Sequence, residues 1–272
     1  MNRFFTSTTV GILALGAVFA SGEVATAVSF GTSSDGLSLQ NLLDELTVSG
    51  PKIDTVNDQT GFNLFTNTAS SGSVATFMFE IAGNASLNKF GIYNPSGIKA
   101  ELFAGINDVS DGTTVNFLGN GDVTVSTIGF APGNEPDPII KKYTGFGNIF
   151  GFYLDTPEGT FYTQNSLNPN GFQQAVVYQG NNQTELQIAG RSPGRFTSNE
   201  FIIAFEDLLR GSSGNSDSDF QDLVVLVESI TPKKDDVASI PEPGIATSLL
   251  AFGLGSFAWI LKGQRKKLDI ER

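Results

Sequence analysis

The sequence contains no cysteine and no histidine, and each absence excludes a class of chemistry. Without cysteine the chain forms no disulfide and has no thiolate nucleophile. Without histidine it has no imidazole base, so hydrolysis by a Ser-His-Asp triad is excluded. Zinc sites built from these two side chains are excluded as well. Any stability outside the cell must therefore come from the core or from bound ions.

Charge is scarce and mostly of one sign. Charged residues make up 16% of the chain, and 28 acidic against 16 basic side chains give a net charge of −12. Such a chain repels nucleic acid, which we exclude as a partner. Tryptophan occurs once, whereas glycine occurs 31 times and phenylalanine 23 times. This composition favours a turn-rich, all-β secreted protein.

The first 27 residues have the pattern of a cleavable signal peptide. Arg3 provides a positive start, residues 10–20 are apolar, and Ala20 and Ala27 each end a short A-x-A-like site. We predict cleavage after Ala27, with Ala20 as the alternative site. A buried N-terminal helix and an uncleaved anchor are the other interpretations. The signal predicts that the protein is exported.

The C-terminal segment 244–272 has the pattern of a membrane anchor. Residues 245–261 are uncharged, and basic side chains follow at 262–267. As a helix, the uncharged stretch spans about 25 Å, close to the roughly 30 Å of a bilayer core. The basic cluster is expected to stay in the cytoplasm. The pattern therefore predicts a transmembrane helix in the inner membrane, with the rest of the chain outside.

Pro241-Glu242-Pro243 stands immediately before this helix, at the end of an irregular linker over residues 231–243. The two prolines keep the segment extended. The order of Pro-Glu-Pro, apolar helix and basic cluster resembles the PEP-CTERM sorting signal of bacterial envelope proteins. The resemblance implies an exosortase-like membrane enzyme as processing partner, in bacteria that make exopolysaccharide. A plain membrane anchor is the alternative interpretation.

The body, residues 28–230, is predicted to begin with one short helix. Ser38 can cap it, and Leu39, Leu42, Leu43 and Leu46 follow the i, i+3, i+4, i+7 spacing of a buried stripe.

The rest of the body has the alternating pattern of strands. Apolar side chains alternate over residues 76–81, and Asn120-Gly121 indicates a hairpin between two apolar runs. Residues 131–142 are predicted to be a long loop. The repeated pattern FGIY at 90–93 and FGFY at 150–153 indicates equivalent strands in the two sheets, or coincidence. Further strands are predicted at 90–93, 100–104, 149–154, 174–178, 185–189, 200–205 and 223–228. We therefore predict an all-β fold, a single β-sandwich or jelly-roll-like domain.

Five carboxylates flank a Gly/Ser loop between the last two predicted strands: Glu206, Asp207, Asp217, Asp219 and Asp222. If these strands pair, the five side chains meet at one end of a sheet, where like charges raise one another's pKa. A Ca²⁺ ion relieves this repulsion and accepts six to eight oxygens in flexible geometry, whereas Mg²⁺ requires stricter octahedral geometry. The segment therefore predicts a Ca²⁺ site. The alternative is an ordinary solvated acidic turn.

Residues 146–228 carry a series of short motifs in one order. The series consists of Phe150-Gly151-Phe152-Tyr153-Leu154, Phe161-Tyr162-Thr163, Ser166-Leu167-Asn168, Phe205-Glu206-Asp207-Leu208 and Asp217-x-Asp219-Phe220-x-Asp222-Leu223. It resembles a family of domains of unknown function found in secreted bacterial proteins. The resemblance implies an exported β module with an acidic loop, and it implies no particular activity.

Three functions remain open at this point. We predict a non-catalytic protein of the cell surface or extracellular matrix. The alternative is an adhesin or a carbohydrate-binding module for exopolysaccharide, with contacts from Tyr143, Tyr153, Tyr162 and Tyr178. A glycosidase using Glu206 and Asp219 as acid and base is the third, and it is disfavoured because the acidic residues lie in one compact loop instead of flanking a cleft.

Overall fold

A computed structural model describes residues 28, 30–31, 38–69, 73–79, 84–107, 111–128, 139–211 and 216–233. The predicted signal peptide, the sorting motif Pro241-Glu242-Pro243 and the segment 244–272 lie outside these residues. Within the described ranges, no helix combines the length and the apolar character needed to cross a membrane.

The helix predicted at the start of the body is present as α1, Leu39–Leu46. The Ser38 hydroxyl accepts a hydrogen bond from the Asn41 backbone N–H at 3.2 Å, which satisfies one of the free donors of the first turn. Leu39 and Leu43 are buried, so the predicted apolar stripe faces the core.

Strands make up most of the remaining described residues. In chain order they are β1 Thr47–Ser49, β2 Phe65–Asn67, β3 Ser73–Phe79, β4 Lys89–Tyr93, β5 Lys99–Ala104, β6 Gly112–Phe117, β7 Val123–Ile128, β8 Ile139–Tyr143, β9 Ile149–Thr156, β10 Gly159–Tyr162, β11 Ala175–Gln179, β12 Glu185–Leu186, β13 Gly194–Arg195, β14 Phe201–Phe205, β15 Leu223–Glu228 and β16 Ile230–Pro232.

The strands form two large antiparallel sheets and one small one. The larger sheet has the order β11-β14-β15-β3-β6-β7-β8, and the second has the order β16-β2-β9-β4-β5, with β10 paired to β9. Phenylalanine rings from both sheets meet between them. Phe65 lies 5.1 Å from Phe201 and Phe90 lies 6.1 Å from Phe205, measured between ring centroids. The predicted all-β sandwich with one short helix is therefore confirmed.

A second core covers the other face of the larger sheet. Leu39 and Leu43 of α1 pack there with Tyr178, Ile202 and Val224, beneath the small sheet β1-β12-β13. Strand β14 is consequently buried on both faces, and all five of its residues are buried. This double burial explains why its sequence is a continuous apolar run instead of an alternating one. It also means that the residues directly after β14 emerge from the interior.

Strand β8 corrects the prediction of a loop at residues 139–142, whereas residues 131–138 of that prediction lie outside the described ranges. Its residues Ile139–Tyr143 pair with β7 at the edge of the larger sheet. Lys141 and Lys142 form ion pairs with Glu101 at 2.7 Å and Asp122 at 2.8 Å. Lysine is common on edge strands, because its charge discourages pairing with another chain. Lys141 and Lys142 therefore belong to an edge strand and not to a loop.

Candidate functional site

The predicted acidic residues lie at one end of the central strands. Phe205 pairs with Leu223, so Glu206 and Asp207 leave β14 where Asp222 enters β15. Asp217 and Asp219 belong to the segment that leads into β15. We call Glu206, Asp207 and residues 216–222 the acidic loop.

Three of the five carboxylates form a compact group. Glu206, Asp217 and Asp219 each offer one oxygen, and these oxygens lie within 4.8 Å of one another. Glu206 is 0% exposed and Asp219 is 2% exposed, whereas Asp217 reaches the surface. The group therefore concentrates negative charge partly inside the protein.

The carboxylate of Glu206 accepts hydrogen bonds from the Ser216 hydroxyl and from the Phe220 backbone N–H. Burial raises the pKa of Glu206 to about 7; these two hydrogen bonds oppose the shift, and the charges of Asp219 and Asp217 add to it. Near neutral pH this side chain therefore binds a proton readily, unless another cation takes the place of the proton.

Asp207 and Asp222 form a separate pair beside this group. The Asp207 backbone N–H donates to Asp222 Oδ2 at 2.8 Å, and Asn88 Nδ2 donates to Asp207 Oδ2 at 3.1 Å. Burial, together with the charges of Asp207 and Glu206, raises the pKa of Asp222 to about 9. Burial also raises the pKa of Asp207. The structure therefore divides the five predicted residues into a group of three and an adjoining pair.

Arg210 also lies beside the acidic loop, and it was not among the residues predicted from the sequence. Its guanidinium lies 4.6 Å from the centre of the Phe220 ring and donates to Ser218 Oγ at 3.0 Å and to the Gln173 carbonyl at 2.7 Å. Burial lowers the pKa of Arg210, and the nearby charge of Glu206 counteracts this. A signal was present, because Arg210 is the only basic residue between 201 and 227.

The backbone of the acidic loop is held in an unusual shape. Ser218 and Phe220 adopt left-handed conformations with φ of 63° and 56°, which are uncommon for residues other than glycine. The Phe220 ring meets the edge of Phe30 at 5.3 Å, and the Gly31 N–H donates to the Ser218 carbonyl at 2.9 Å. A Cβ atom on Gly31 would lie only 1.6 Å from the Asp217 carbonyl oxygen. Phe30 and Gly31 thus lie directly against the loop.

A family described as "Domain of unknown function (DUF4114)" matches residues 55–229. The chain belongs to the DUF4114 family. No curated protein and no solved structure matches the chain. The resemblance to a family of domains of unknown function is therefore confirmed, and the DUF4114 match extends well before residue 146. It includes all five carboxylates and Arg210, whereas Gly31 and helix α1 precede it.

The four tyrosines considered for carbohydrate binding do not form one exposed surface. Tyr153 is 3% exposed and Tyr178 is 0% exposed, and the Tyr178 hydroxyl donates to the Thr55 carbonyl at 2.9 Å. Tyr143 and Tyr162 are half-buried. Tyr153 and Tyr178 also belong to different cores. A stacking platform for sugars built from these four side chains is therefore not present.

Proposed function

We propose that this DUF4114 protein is an exported, non-catalytic β domain that binds Ca²⁺ through Glu206, Asp217 and Asp219. The observation that carries the proposal is the approach of their oxygens within 4.8 Å, with two of the three side chains buried. Buried carboxylates at this spacing repel one another and require protons or a cation. Oxygen ligands of this kind are those that Ca²⁺ prefers.

The net charge of this group and its surroundings is negative enough to bind a divalent cation. Glu206, Asp217 and Asp219 contribute three negative charges when ionised, and the guanidinium of Arg210 contributes one positive charge close to Glu206. The net charge of these four side chains is −2, which one divalent ion neutralises; Asp207 and Asp222, beside the group, add negative charge only when they are ionised. Arg210 thus reduces the repulsion within the group without removing it.

The surroundings favour Ca²⁺ over Mg²⁺. Two oxygens of Glu206 already accept hydrogen bonds from Ser216 and Phe220, so an ion has to share them in irregular geometry. Ca²⁺ tolerates such geometry, whereas Mg²⁺ demands a near-ideal octahedron. Gln221, in the same loop, is 3% exposed and its Oε1 finds no hydrogen-bond partner among the described residues. An orphaned amide oxygen is a further ligand that Ca²⁺ accepts.

A glycosidase role for Glu206 and Asp219 is less well supported. Both side chains are buried, and the two oxygens of Glu206 are occupied by hydrogen bonds from within the loop. An acid and a base for glycoside hydrolysis must flank a bond of the substrate, which requires access for a sugar. The geometry therefore supports binding of an ion better than turnover of a glycan.

Thermal unfolding of the purified full-length chain tests the calcium proposal. We expect Ca²⁺ to raise the free energy of unfolding relative to excess chelator, by about 2.7 kcal/mol at a hundredfold excess over Kd. An equal concentration of Mg²⁺ should stabilise much less. Asp217→Asn should remove the response to Ca²⁺, and because Asp217 is exposed this variant should still fold.

Glu45→Gln provides the matched control, because Glu45 is exposed on helix α1, away from the acidic loop. It should keep the full response to Ca²⁺. If the melting temperature of the parent chain is the same with and without Ca²⁺, the calcium proposal is wrong and the acidic loop is an ordinary acidic turn.

The proposed export route rests on the sequence of the two ends. The signal peptide at 1–27 supports export, and Pro241-Glu242-Pro243 with the following apolar and basic segments supports processing by an exosortase-like enzyme at the inner membrane.

The intact mass of the protein in a bacterium that encodes an exosortase tests this. Replacing all three motif residues with alanine should prevent cleavage, so that the measured mass still includes the C-terminal tail. Pro157→Ala should leave processing unchanged, and loss of processing in this control as well would contradict the assignment.

A further inference from the structure

A cleft of about 340 Å³ lies at the end of strands β14 and β15 opposite the acidic loop. Glu200 stands just before β14 and Glu228 ends β15, and both line this cleft. The hairpin β12–β13 and its connecting residues 187–193 form the other side. This volume falls within the range of small-molecule sites.

The floor of the cleft is apolar. Leu186, Ile188, Phe196 and Leu226 line it, and each is at most 9% exposed. These side chains belong to the second core, beneath the small sheet. The cleft therefore offers a ligand a buried apolar surface that is part of the second core.

Four charged side chains complete the lining, and their charges balance. Arg191 and Arg195 contribute two positive charges, and Glu200 and Glu228 contribute two negative charges. This balance stands out in a chain with a net charge of −12. A strongly anionic ligand would meet the two carboxylates, and a strongly cationic one would meet the two guanidinium groups. The lining therefore favours a ligand without net charge.

Two of these four groups have unused hydrogen-bonding capacity. No donor among the described residues reaches the carboxylate of Glu228, whose electrostatic partner is Arg191. Arg195 is exposed and forms no ion pair within the described ranges. Glu200, in contrast, accepts the backbone N–H of Thr197. Burial raises the pKa of both Glu200 and Glu228, as expected for carboxylates that lack full hydration.

We propose that this cleft binds a neutral saccharide unit. Sugar hydroxyls can donate to the Glu228 carboxylate and accept from the Arg195 guanidinium, so one uncharged ligand satisfies both groups. The C–H face of a pyranose ring can pack on the aliphatic floor at Leu226. The cleft lies at the other end of the strands from the acidic loop, so this inference stands independently of Ca²⁺ binding.

Saturation-transfer NMR on the full-length chain tests the proposal, with maltose, cellobiose and lactose as neutral probes. Measurements in excess chelator keep the result separate from that of the calcium proposal. We expect saturation transfer to at least one probe, with Kd weakened about tenfold by Glu228→Gln and by Arg195→Ala, because each change removes a charged hydrogen bond. Lys89→Ala, an exposed change on β4, should leave the affinity unaltered.

Three outcomes would overturn the proposal. The first is the absence of transfer to all three disaccharides from a parent chain shown to be folded by its amide spectrum. The second is transfer that survives both cleft variants unchanged, which would locate the sugar elsewhere. The third is preferential binding of a blocked neutral peptide, N-acetyl-leucine amide, over every disaccharide. The last result would assign the cleft to a peptide segment instead.

Discussion

Tyr93 packs its ring onto Gly151, the residue directly opposite on the neighbouring strand. In the β4–β9 pair Tyr93 faces Gly151, and two residues away Gly91 faces Tyr153. A Cβ atom on Gly151 would lie 2.6 Å from both Cε1 and Oη of Tyr93, and one on Gly91 would lie 2.7 Å from Cε1 of Tyr153. Each tyrosine thus covers the glycine of the other strand on the outer face of the sheet.

We expect Gly151→Ala to lower the free energy of unfolding by about 1–3 kcal/mol, the usual cost of overpacking a filled site. The added methyl group would displace the Tyr93 ring, whose hydroxyl donates to Gln164 Oε1 at 3.1 Å. Urea unfolding followed by circular dichroism measures the change. Gly119→Ala is the control, because a Cβ there meets nothing within 4 Å. Equal stability of the two variants would contradict the prediction.

This pair of strands explains the repeat of FGIY and FGFY in the sequence. The sequence indicated either equivalent strands in the two sheets or coincidence. The first interpretation is wrong because the two strands do not lie in different sheets. The two segments are neighbours in one sheet, and the antiparallel register places each glycine opposite a tyrosine. Local sequence patterns identify strands, but they do not specify which strands pair or in which register.

Other parts of the fold were predictable for local reasons. The cap at Ser38 and the leucine spacing defined α1, and Asn120-Gly121 lies in the hairpin that joins β6 to β7. Short strands gave a weaker signal. Strand β12 covers only Glu185–Leu186 of the predicted 185–189. Strands of two or three residues are defined by their partners, so the sequence alone does not delimit them.

Gly31 offers a test of how the N-terminal segment supports the acidic loop. Gly31→Ala should weaken Ca²⁺ binding, because its Cβ would collide with the Asp217 carbonyl and separate the segment from Ser218. The melting temperature in chelator should fall, because the Gly31–Ser218 hydrogen bond is lost, and Ca²⁺ should raise it less than in the parent chain. Gly119→Ala again serves as control. A full Ca²⁺ response in Gly31→Ala would show that the segment does not shape the site.

Arg210→Gln should make the protein more dependent on Ca²⁺. The change removes the positive charge near Glu206 and the contact with the Phe220 ring, so the free energy of unfolding in chelator should fall, by about 1–3 kcal/mol. The remaining carboxylates then attract a divalent ion more strongly, and Ca²⁺ should stabilise the variant more than the parent. Melting curves with and without Ca²⁺ test both effects. A Ca²⁺ response smaller than that of the parent would contradict this account.

The acidic residues of the candidate site were visible in the sequence, but their arrangement was not. Strand pairing was expected to gather all five carboxylates, and it does bring them to one end of the sheet. Glu206 belongs to the group of three and Asp207 to the pair with Asp222, because successive side chains of a strand point to opposite faces of the sheet. Both faces of β14 are buried, so both carboxylates lie inside the protein. Gly31 is remote in sequence from the loop that it touches, so no local pattern could reveal that contact.

The raised pKa values of Glu206 and Asp222 make stability depend on pH in the absence of Ca²⁺. In the folded protein they are about 7 and about 9, against ordinary values of 4.5 and 3.8. The folded state therefore binds these protons more tightly than the unfolded state, and stability falls as pH rises through this range. Each proton contributes a slope of about 1.4 kcal/mol per pH unit between its unfolded and its folded pKa.

Glu206→Gln should make the free energy of unfolding depend less steeply on pH between pH 5 and pH 7. Glutamine stays neutral at every pH, so the proton that Glu206 binds no longer contributes to the slope. We expect the parent chain in chelator to lose stability across that interval more steeply than the variant, by up to about 1.4 kcal/mol per pH unit, because Asp222 and the other carboxylates with raised pKa values titrate in both chains. Saturating Ca²⁺ should flatten the parent curve, because an ion that binds the ionised Glu206 excludes its proton. Urea unfolding at half-unit pH steps measures the slopes. Stability of the parent chain in chelator that rises from pH 5 to pH 7 would contradict the raised pKa values and, with them, the repulsion on which the calcium proposal depends.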